Sequence, residues 1–256
     1  MILTIQGLKI YYEAAGEGEP VLLLHGWGAD ASSLRPVLKR IREDLAARAI
    51  ALDFPGFGFS DHPAEAWDVS RYATFLEDFL DSLGIGRVSL VAHSFGGRVA
   101  IKFAAACPDR LDRLVLVDSA GIRPKRKIGW YLKVGTAKTL RFLREKAPGA
   151  ARLLQLDRLA ARQGSEDYRR AGDMRATFSR VVNEDLRGLL PGIRCRTLLI
   201  WGELDDATPL SDARLMQQSI PGARLEVIPG AGHFSYADHF SEFSRILIPF
   251  LKEPAA

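Results

Sequence analysis

The sequence predicts an α/β protein built on a mostly parallel sheet, and three observations carry that prediction. Short apolar runs without clean alternation recur at Val21–Leu24, Val88–Ala92, Leu114–Val117 and Thr197–Trp201, as expected of strands covered on both faces. Segments with apolar residues at three- and four-residue steps lie between them, so strand and helix alternate. The 256 residues are 47% hydrophobic and 26% charged, enough apolar side chain to bury the core such a sheet needs.

In chain order, Met1–Tyr12 reads as two short strands. It lacks the basic stretch and long apolar block of a leader. Val21–Leu24 follows, then a helix over Ser32–Arg42 with Ser32 or Ser33 as candidate caps. Ala47–Leu52 is a weaker strand signal. A second helix spans Ser70–Leu83, with Ser70 as candidate cap and Gly84 in the C′ position. Val88–Ala92 leads into a helix over Phe95–Ala106, which stops before Pro108. After Leu114–Val117 the alternation breaks: from about Ala120 to Arg194 nearly everything reads as helix. Trp130, Val134, Ala137, Leu140 and Leu143 step by three and four, and Leu153, Leu154, Leu156 and Leu159 make another apolar set. A helical insertion between two strands would cap one end of the sheet. Thr197–Trp201, a weaker strand at Leu225–Ile228 and a helix from Phe240 to Leu251 close the chain, with Pro249 as the place where that helix would be cut or kinked.

Two cysteines, Cys107 and Cys195, make neither a disulfide framework nor a metal pair. No apolar run approaches the ~18 residues of a membrane span, so a soluble, cytoplasmic protein is the expectation. The net charge of +4 is unevenly placed. Residues 121–196 hold 19 Lys and Arg against 7 Asp and Glu, while the remainder holds 16 basic and 24 acidic residues.

The candidate chemistry centres on Ala92-His93-Ser94-Phe95-Gly96, a small-x-Ser-x-Gly pattern between a strand and a helix. Such a turn is strained and needs small residues on either side of the serine; it lifts the hydroxyl clear of the sheet. The plainer reading is a helix-capping serine. A serine hydroxyl becomes a nucleophile only beside a base. Of five histidines, His93 adjoins Ser94 and is directed away from it, His25 ends a strand, His62 sits in a loop and His239 lies near a helix start. His233, in the glycine-rich loop Pro229–Phe234 after the last strand, is the best base candidate. A base needs an orienting carboxylate, and Asp205, just after Thr197–Trp201, is the first choice. Asp206 would point elsewhere, and Asp118, after Leu114–Val117, is the reserve. Backbone N–H groups of Phe95 and of Trp27, in His25-Gly26-Trp27-Gly28, are candidate oxyanion donors.

Together these residues resemble the α/β-hydrolase superfamily over nearly the whole chain. The resemblance rests on His25-Gly-Trp-Gly28, Asp53-Phe-Pro-Gly-Phe-Gly-Phe-Ser60, Ala92-His-Ser-Phe-Gly-Gly97, Trp201-Gly-x-x-Asp205 with Pro209, and Gly230-Ala-Gly-His233. It implies an eight-stranded, mostly parallel sheet flanked by helices, with a core at 1–119 and 195–256 and a helical cap at 120–194. It further implies a serine hydrolase without metal or organic cofactor. Serine at position 94 argues against the aspartate-dependent dehalogenases and epoxide hydrolases of the superfamily. The overall pattern looks like carboxylesterases and like the C–C bond hydrolases that act on aromatic ring-fission products; the latter typically carry tryptophan after the histidine, where this chain has Phe234. The expected substrate is a small-molecule ester or related acyl compound. A small-molecule-binding member of the fold without catalysis is the reading from another class. His25, Gly26, Trp130, Phe142, Phe178 and Phe234 are candidate pocket residues. The basic insertion, densest at Arg123–Lys127, reads as a solvated helical surface, as an attractor of anionic substrates, or as a weak contact to an anionic membrane surface. Nucleic acid is not an expected partner: the basic excess lacks a binding motif, and the rest of the chain is acidic.

Overall fold

The computed structural model describes residues 1–123 and 171–253. Eight strands form one sheet: β1 (Ile2–Ile5), β2 (Leu8–Ala15), β3 (Glu19–Leu24), β4 (Ala47–Leu52), β5 (Val88–His93), β6 (Leu111–Val117), β7 (Arg196–Gly202) and β8 (Arg224–Ile228), in the order β1-β2-β4-β3-β5-β6-β7-β8. β1 and β2 form an antiparallel hairpin, and β2 pairs antiparallel with β4; from β4 to β8 every pairing is parallel. All six apolar runs read from the sequence are strands, most of them longer by one to three residues at an end, where ladder pairing extends past the apolar stretch.

Helices α1 (Arg35–Asp44), α2 (Val69–Ser82), α3 (Phe95–Ala106), α4 (Arg175–Asn183), α5 (Leu210–Ser219), α6 (Ser235–Asp238) and α7 (Phe240–Lys252) surround the sheet. Successive strand residues point to opposite faces, and each face has its own core. Leu22, Leu24, Leu90, Ala92, Leu114, Leu116, Leu199 and Trp201 pack with α2, α3 and α5. Val21, Leu23, Val91, Val115, Val117, Leu198 and Ile200 pack with α1 and α7. Burial on both faces explains why the strands read as apolar runs rather than as alternation.

Three local expectations change. The helix expected from Ser32 opens as a 3₁₀ turn at Ala31–Leu34, and its cap is Asp30, whose carboxylate accepts the Ser32 N–H at 2.8 Å. α2 is capped by Asp68, which accepts the Arg71 N–H at 2.8 Å, not by Ser70; in both cases an aspartate upstream of the serine, Asp30 before Ser32 and Asp68 before Ser70, reaches the free amide first. Pro249 does not cut α7: it lies on the exposed side of the helix, as does Arg245, whose carbonyl loses its bonding partner there. Gly84 does end α2, with φ of +67°. Gly84 N–H bonds the Asp81 carbonyl and Ile85 N–H the Leu80 carbonyl, the paired closure of a helix C-terminus.

Of the expected insertion at 120–194, residues 124–170 lie outside the described residues, and with them Trp130, Phe142 and most of the basic cluster. What is described is tied to the core. Thr177 Oγ1 accepts the Trp67 N–H at 3.1 Å, and Met174 packs against Gly56. Buried Arg98 of α3 donates to the Glu184 carbonyl at 2.8 Å. Among the described residues no helix is long and apolar enough to cross a membrane.

Candidate active site

The parallel strands all end on one edge, and the segments that leave β3, β5, β6, β7 and β8 there carry Gly26, Ser94, Asp118, Asp205 and His233. Ser94 follows β5 with φ 49° and ψ −109°, a left-handed backbone that a side chain rarely adopts. Its surroundings over-determine it. Ser94 N–H bonds the Val117 carbonyl at 3.1 Å, and the Ser94 carbonyl accepts from Gly97 N–H at 3.0 Å and Ala120 N–H at 3.1 Å. The side chain makes no capping bond to α3, so the hydroxyl is not spent on the helix terminus. Gly96 is small for a steric reason: a Cβ there would lie 2.6 Å from the Leu24 carbonyl oxygen. Ala92, buried inside the sheet, fits where the motif more often has glycine.

The hydroxyl is instead bonded to a histidine. Ser94 Oγ lies 3.0 Å from His233 Nε2, and His233 Nδ1 lies 2.9 Å from Asp205 Oδ2. His233 reaches Ser94 from 139 residues away, and Asp205 reaches His233 across 28. Asp205 is surrounded by donors. Oδ1 accepts the N–H groups of Ala207 and Thr208, both at 2.9 Å, and Oδ2 accepts the Thr208 hydroxyl at 2.6 Å as well as His233. Burial is the largest influence on its carboxyl and opposes ionisation; the bonds from His233 and Thr208 outweigh it and hold the group below the usual carboxylate range. An ionised acceptor requires His233 Nδ1 to carry the proton, which leaves Nε2 bare toward Ser94. The Asp205 loop is itself pinned: Trp201 Nε1 donates to the Thr208 carbonyl at 2.7 Å, and Leu204 N–H bonds the Ala231 carbonyl at 2.8 Å, joining it to the His233 loop. Asp206 is exposed.

Asp118, the reserve acid, does other work. Fully buried and with φ of 44°, it accepts Gly202 N–H at 2.7 Å on Oδ1, and Ser235 N–H at 3.1 Å and Ser235 Oγ–H at 2.6 Å on Oδ2. It therefore clamps the strand end before Asp205 to the residue two places after His233. Burial pushes its carboxyl up to about 7 against those hydrogen bonds. Thr208 and Ser235 were not anticipated. A Thr three residues after Asp205 is the one sequence sign of the carboxylate's local turn; nothing local marks Ser235.

The turn after β3 runs against the serine. Gly26 is buried, and a Cβ on it would lie 2.7 Å from His93 Nδ1 and 3.3 Å from Ser94 Cβ. Gly26 is thus small because of close approach; the left-handed residue of this turn is Gly28, with φ of +73°. Among the described residues, neither Trp27 N–H nor Phe95 N–H has a protein acceptor. Trp27 is half-buried, with its ring edge-on to Phe95 at 5.5 Å, Phe57 at 4.9 Å and Phe178 at 5.0 Å. Phe178 of α4 thus stands beside this turn, and Phe234, 49% exposed, stands 5.4 Å from the His233 ring.

His25 corrects its assignment as a pocket residue. It is fully buried, and both nitrogens are committed: Nε2 accepts the Phe54 N–H at 3.0 Å, and Nδ1–H donates to the Gly26 carbonyl at 2.8 Å. It fastens the Gly26 turn to the segment after β4, where Asp53 holds its own loop by accepting Ala31 N–H and Phe59 N–H. Burial, working against the bond to Gly26, lowers the His25 pKa from 6.5 to about 4. Between those values the unfolded chain binds a proton that the native ring refuses. His25 therefore costs no stability above about pH 6.5 and subtracts about 1.4 kcal/mol per pH unit below it, down to about pH 4. Urea unfolding between pH 4 and 7 is expected to show that slope reduced by the same amount in His25→Gln, whose carbonyl can still accept from Phe54; parallel slopes would refute this account.

The fold and edge geometry agree with a family assignment. A model described as the alpha/beta hydrolase family matches residues 21–246. The chain belongs to the alpha/beta hydrolase family. This alpha/beta hydrolase is 31% identical over 264 residues to the 2-hydroxy-6-oxo-6-phenylhexa-2,4-dienoate hydrolase of Comamonas testosteroni, covering 95% of this chain and 91% of that protein. It is 31% identical over 268 residues to the 2-hydroxymuconate semialdehyde hydrolase of Pseudomonas putida, covering 98% and 93%. Among solved structures, an esterase from Exiguobacterium antarcticum superposes with a TM-score of 0.77 at 26% identity, covering 98% of both chains.

Proposed function

We propose that this alpha/beta hydrolase is a serine hydrolase that cleaves carboxylic esters of small molecules through an acyl-enzyme on Ser94. The observation that carries the reading is the unbroken hydrogen-bond chain from Ser94 Oγ through His233 to Asp205, with the serine held in a strained turn. His233 Nε2 takes the hydroxyl proton as Oγ attacks the ester carbonyl carbon. The N–H groups of Trp27 and Phe95 hold the developing oxyanion. The imidazolium, steadied by Asp205, returns its proton to the leaving alcohol; a water deprotonated by the same nitrogen then releases the acid and restores Ser94. The test is a fluorophosphonate probe with mass analysis of the labelled peptide, together with turnover of p-nitrophenyl esters of increasing acyl length. Labelling confined to Ser94 and loss of both signals in Ser94→Ala are expected. Turnover that survives Ser94→Ala rules the reading out, and absence of turnover on any ester favours a binding protein.

A second reading, hydrolysis of a C–C bond in a 2-hydroxy-6-oxo-dienoate, is favoured by the names of the two 31% identical relatives. It uses the same serine and base. Following the loss of dienoate absorbance beside ester turnover, at one enzyme concentration, separates the two by their relative kcat/KM.

The charge bias supports a preference for substrates that carry an anion, since a field of one sign concentrates opposite charge near a cleft. The expected result is that kcat/KM for a carboxylate-bearing ester falls as salt rises from about 0.01 to 1 M, over which the screening length shrinks from ~30 to ~3 Å. A matched neutral ester should hold steady. Equal salt responses remove the preference. Adding vesicles of anionic lipid to the same assay tests the weak membrane contact, which predicts co-sedimentation at low salt only.

A further inference from the structure

We propose that His93 is a positioning residue: by hydrogen-bonding the backbone of His233 it sets the reach of that base to Ser94. The proposal rests on the reading of Ser94 as nucleophile and His233 as base. The strand alternation directs the His93 side chain away from Ser94, and the fold brings it against His233. His93 ends β5 and is 3% exposed. Its Nε2 lies 2.9 Å from the His233 carbonyl oxygen. A carbonyl only accepts, so Nε2 carries the hydrogen and Nδ1 is bare. Burial, reinforced by the neighbouring His233, lowers the His93 pKa to about 3, so the ring is neutral.

Among the described residues the bare Nδ1 has no hydrogen-bond partner, and it faces Gly26, whose missing Cβ leaves it room. One ring therefore touches three segments: it belongs to the strand that presents Ser94, it borders the turn that carries Trp27, and it holds the loop that carries His233. Neighbouring rings restrict its orientation, with Tyr236 edge-on at 4.9 Å, His233 at 5.0 Å and Phe234 at 5.3 Å. Two features distinguish this from ordinary packing. A buried acceptor left without a partner is unfavourable, so an apolar side chain of similar size would serve packing better. A neutral neighbour also suits a base that becomes cationic during the reaction, because a charged ring about 5 Å away would oppose the imidazolium.

The test compares His93→Gln with His93→Met. The two side chains are similar in length and volume, and only glutamine offers an N–H near the position of Nε2. Three quantities are read: kcat and KM for p-nitrophenyl butyrate, the rate of fluorophosphonate labelling at Ser94, and the thermal midpoint. We expect methionine to lower kcat and the labelling rate on the order of 10- to 100-fold, with KM within about 3-fold, because a base displaced by a fraction of an ångström transfers its proton poorly. Glutamine should restore both rates to within about 3-fold of the parent. Equal behaviour of the two variants, or rates that merely follow the thermal midpoint, overturns the proposal. Should methionine prevent folding, His93→Asn takes its place: its amide is too short to reach the His233 carbonyl and is expected to be slow, and a fast asparagine variant overturns the proposal equally. If Ser94 of the parent protein is not labelled at all, the nucleophile reading fails first and takes this one with it.

Discussion

Replacing Ser94 by alanine is expected to lower kcat/KM for p-nitrophenyl butyrate on the order of 10⁴-fold or more, with the fold intact. The hydroxyl makes no structural bond to the helix it precedes, and among the described residues its side-chain partner is His233. The change therefore removes the proposed attacking atom and little else. The strained backbone supplies a second expectation that separates geometry from chemistry. Alanine at φ 49° keeps the strain that serine has there, whereas glycine relieves it. Ser94→Gly and Ser94→Ala should be equally inactive, but the glycine variant should be more stable by about 1 kcal/mol in denaturant unfolding. An active alanine variant would remove Ser94 from the mechanism. A glycine variant no more stable than alanine would mean the turn is not under strain.

Asp205→Asn is expected to lower kcat by about 10³- to 10⁴-fold near neutral pH while leaving the thermal midpoint within a few degrees. The direction follows from donors and acceptors. Two backbone N–H groups, from Ala207 and Thr208, aim at Oδ1, so the asparagine oxygen must take that place and its NH₂ must take the place of Oδ2. There the amide would donate to His233 Nδ1, now 2.9 Å from Oδ2. Nδ1 then carries no proton, and Nε2 does, so the nitrogen that faces Ser94 can no longer accept. The Thr208 hydroxyl, which now donates to Oδ2, can turn and donate to the Asp118 carbonyl 3.0 Å away, so the loop keeps its bonds. A pH profile of kcat checks the account: activity of the variant should recover at high pH, where hydroxide replaces the missing base. A variant within tenfold of the parent would show that Asp205 does not govern the tautomer of His233.

These two variants rest on residues that differed in how far the sequence could identify them. The small-x-Ser-x-Gly turn is legible locally, because the strand and helix around it announce themselves by apolar period; the carbonyl that keeps Gly96 small belongs to Leu24 of β3, which only the fold brings there. The choice of His233 among five histidines followed from chain order, since residues that follow parallel strands gather on one edge. The choice between Asp205 and Asp118 was harder, because both follow such strands. Only the hydrogen bonds separate them: Asp205 faces His233, and Asp118 faces Gly202 and Ser235. His25 and His93 show the limit most plainly. Each sits beside a motif residue, and each was read by its position along the strand. Their partners, Phe54 and the His233 carbonyl, lie 29 and 140 residues away.

What the sequence determined by itself was the two-faced apolar patterning of the strands, the glycine that ends α2, and the small-x-Ser-x-Gly pattern of the turn around Ser94. These are read from neighbours within a few residues, where backbone sterics and side-chain period act directly, although the group that keeps Gly96 small is the Leu24 carbonyl of β3. The tertiary structure alone decided which carboxylate bonds His233, which histidines are buried, and how closely the Ser94 turn, the Gly26 turn and the His233 loop approach. Those are distances of about 3 Å between segments far apart in the chain. Strand order and two packed faces set them, and no short stretch of residues carries that information.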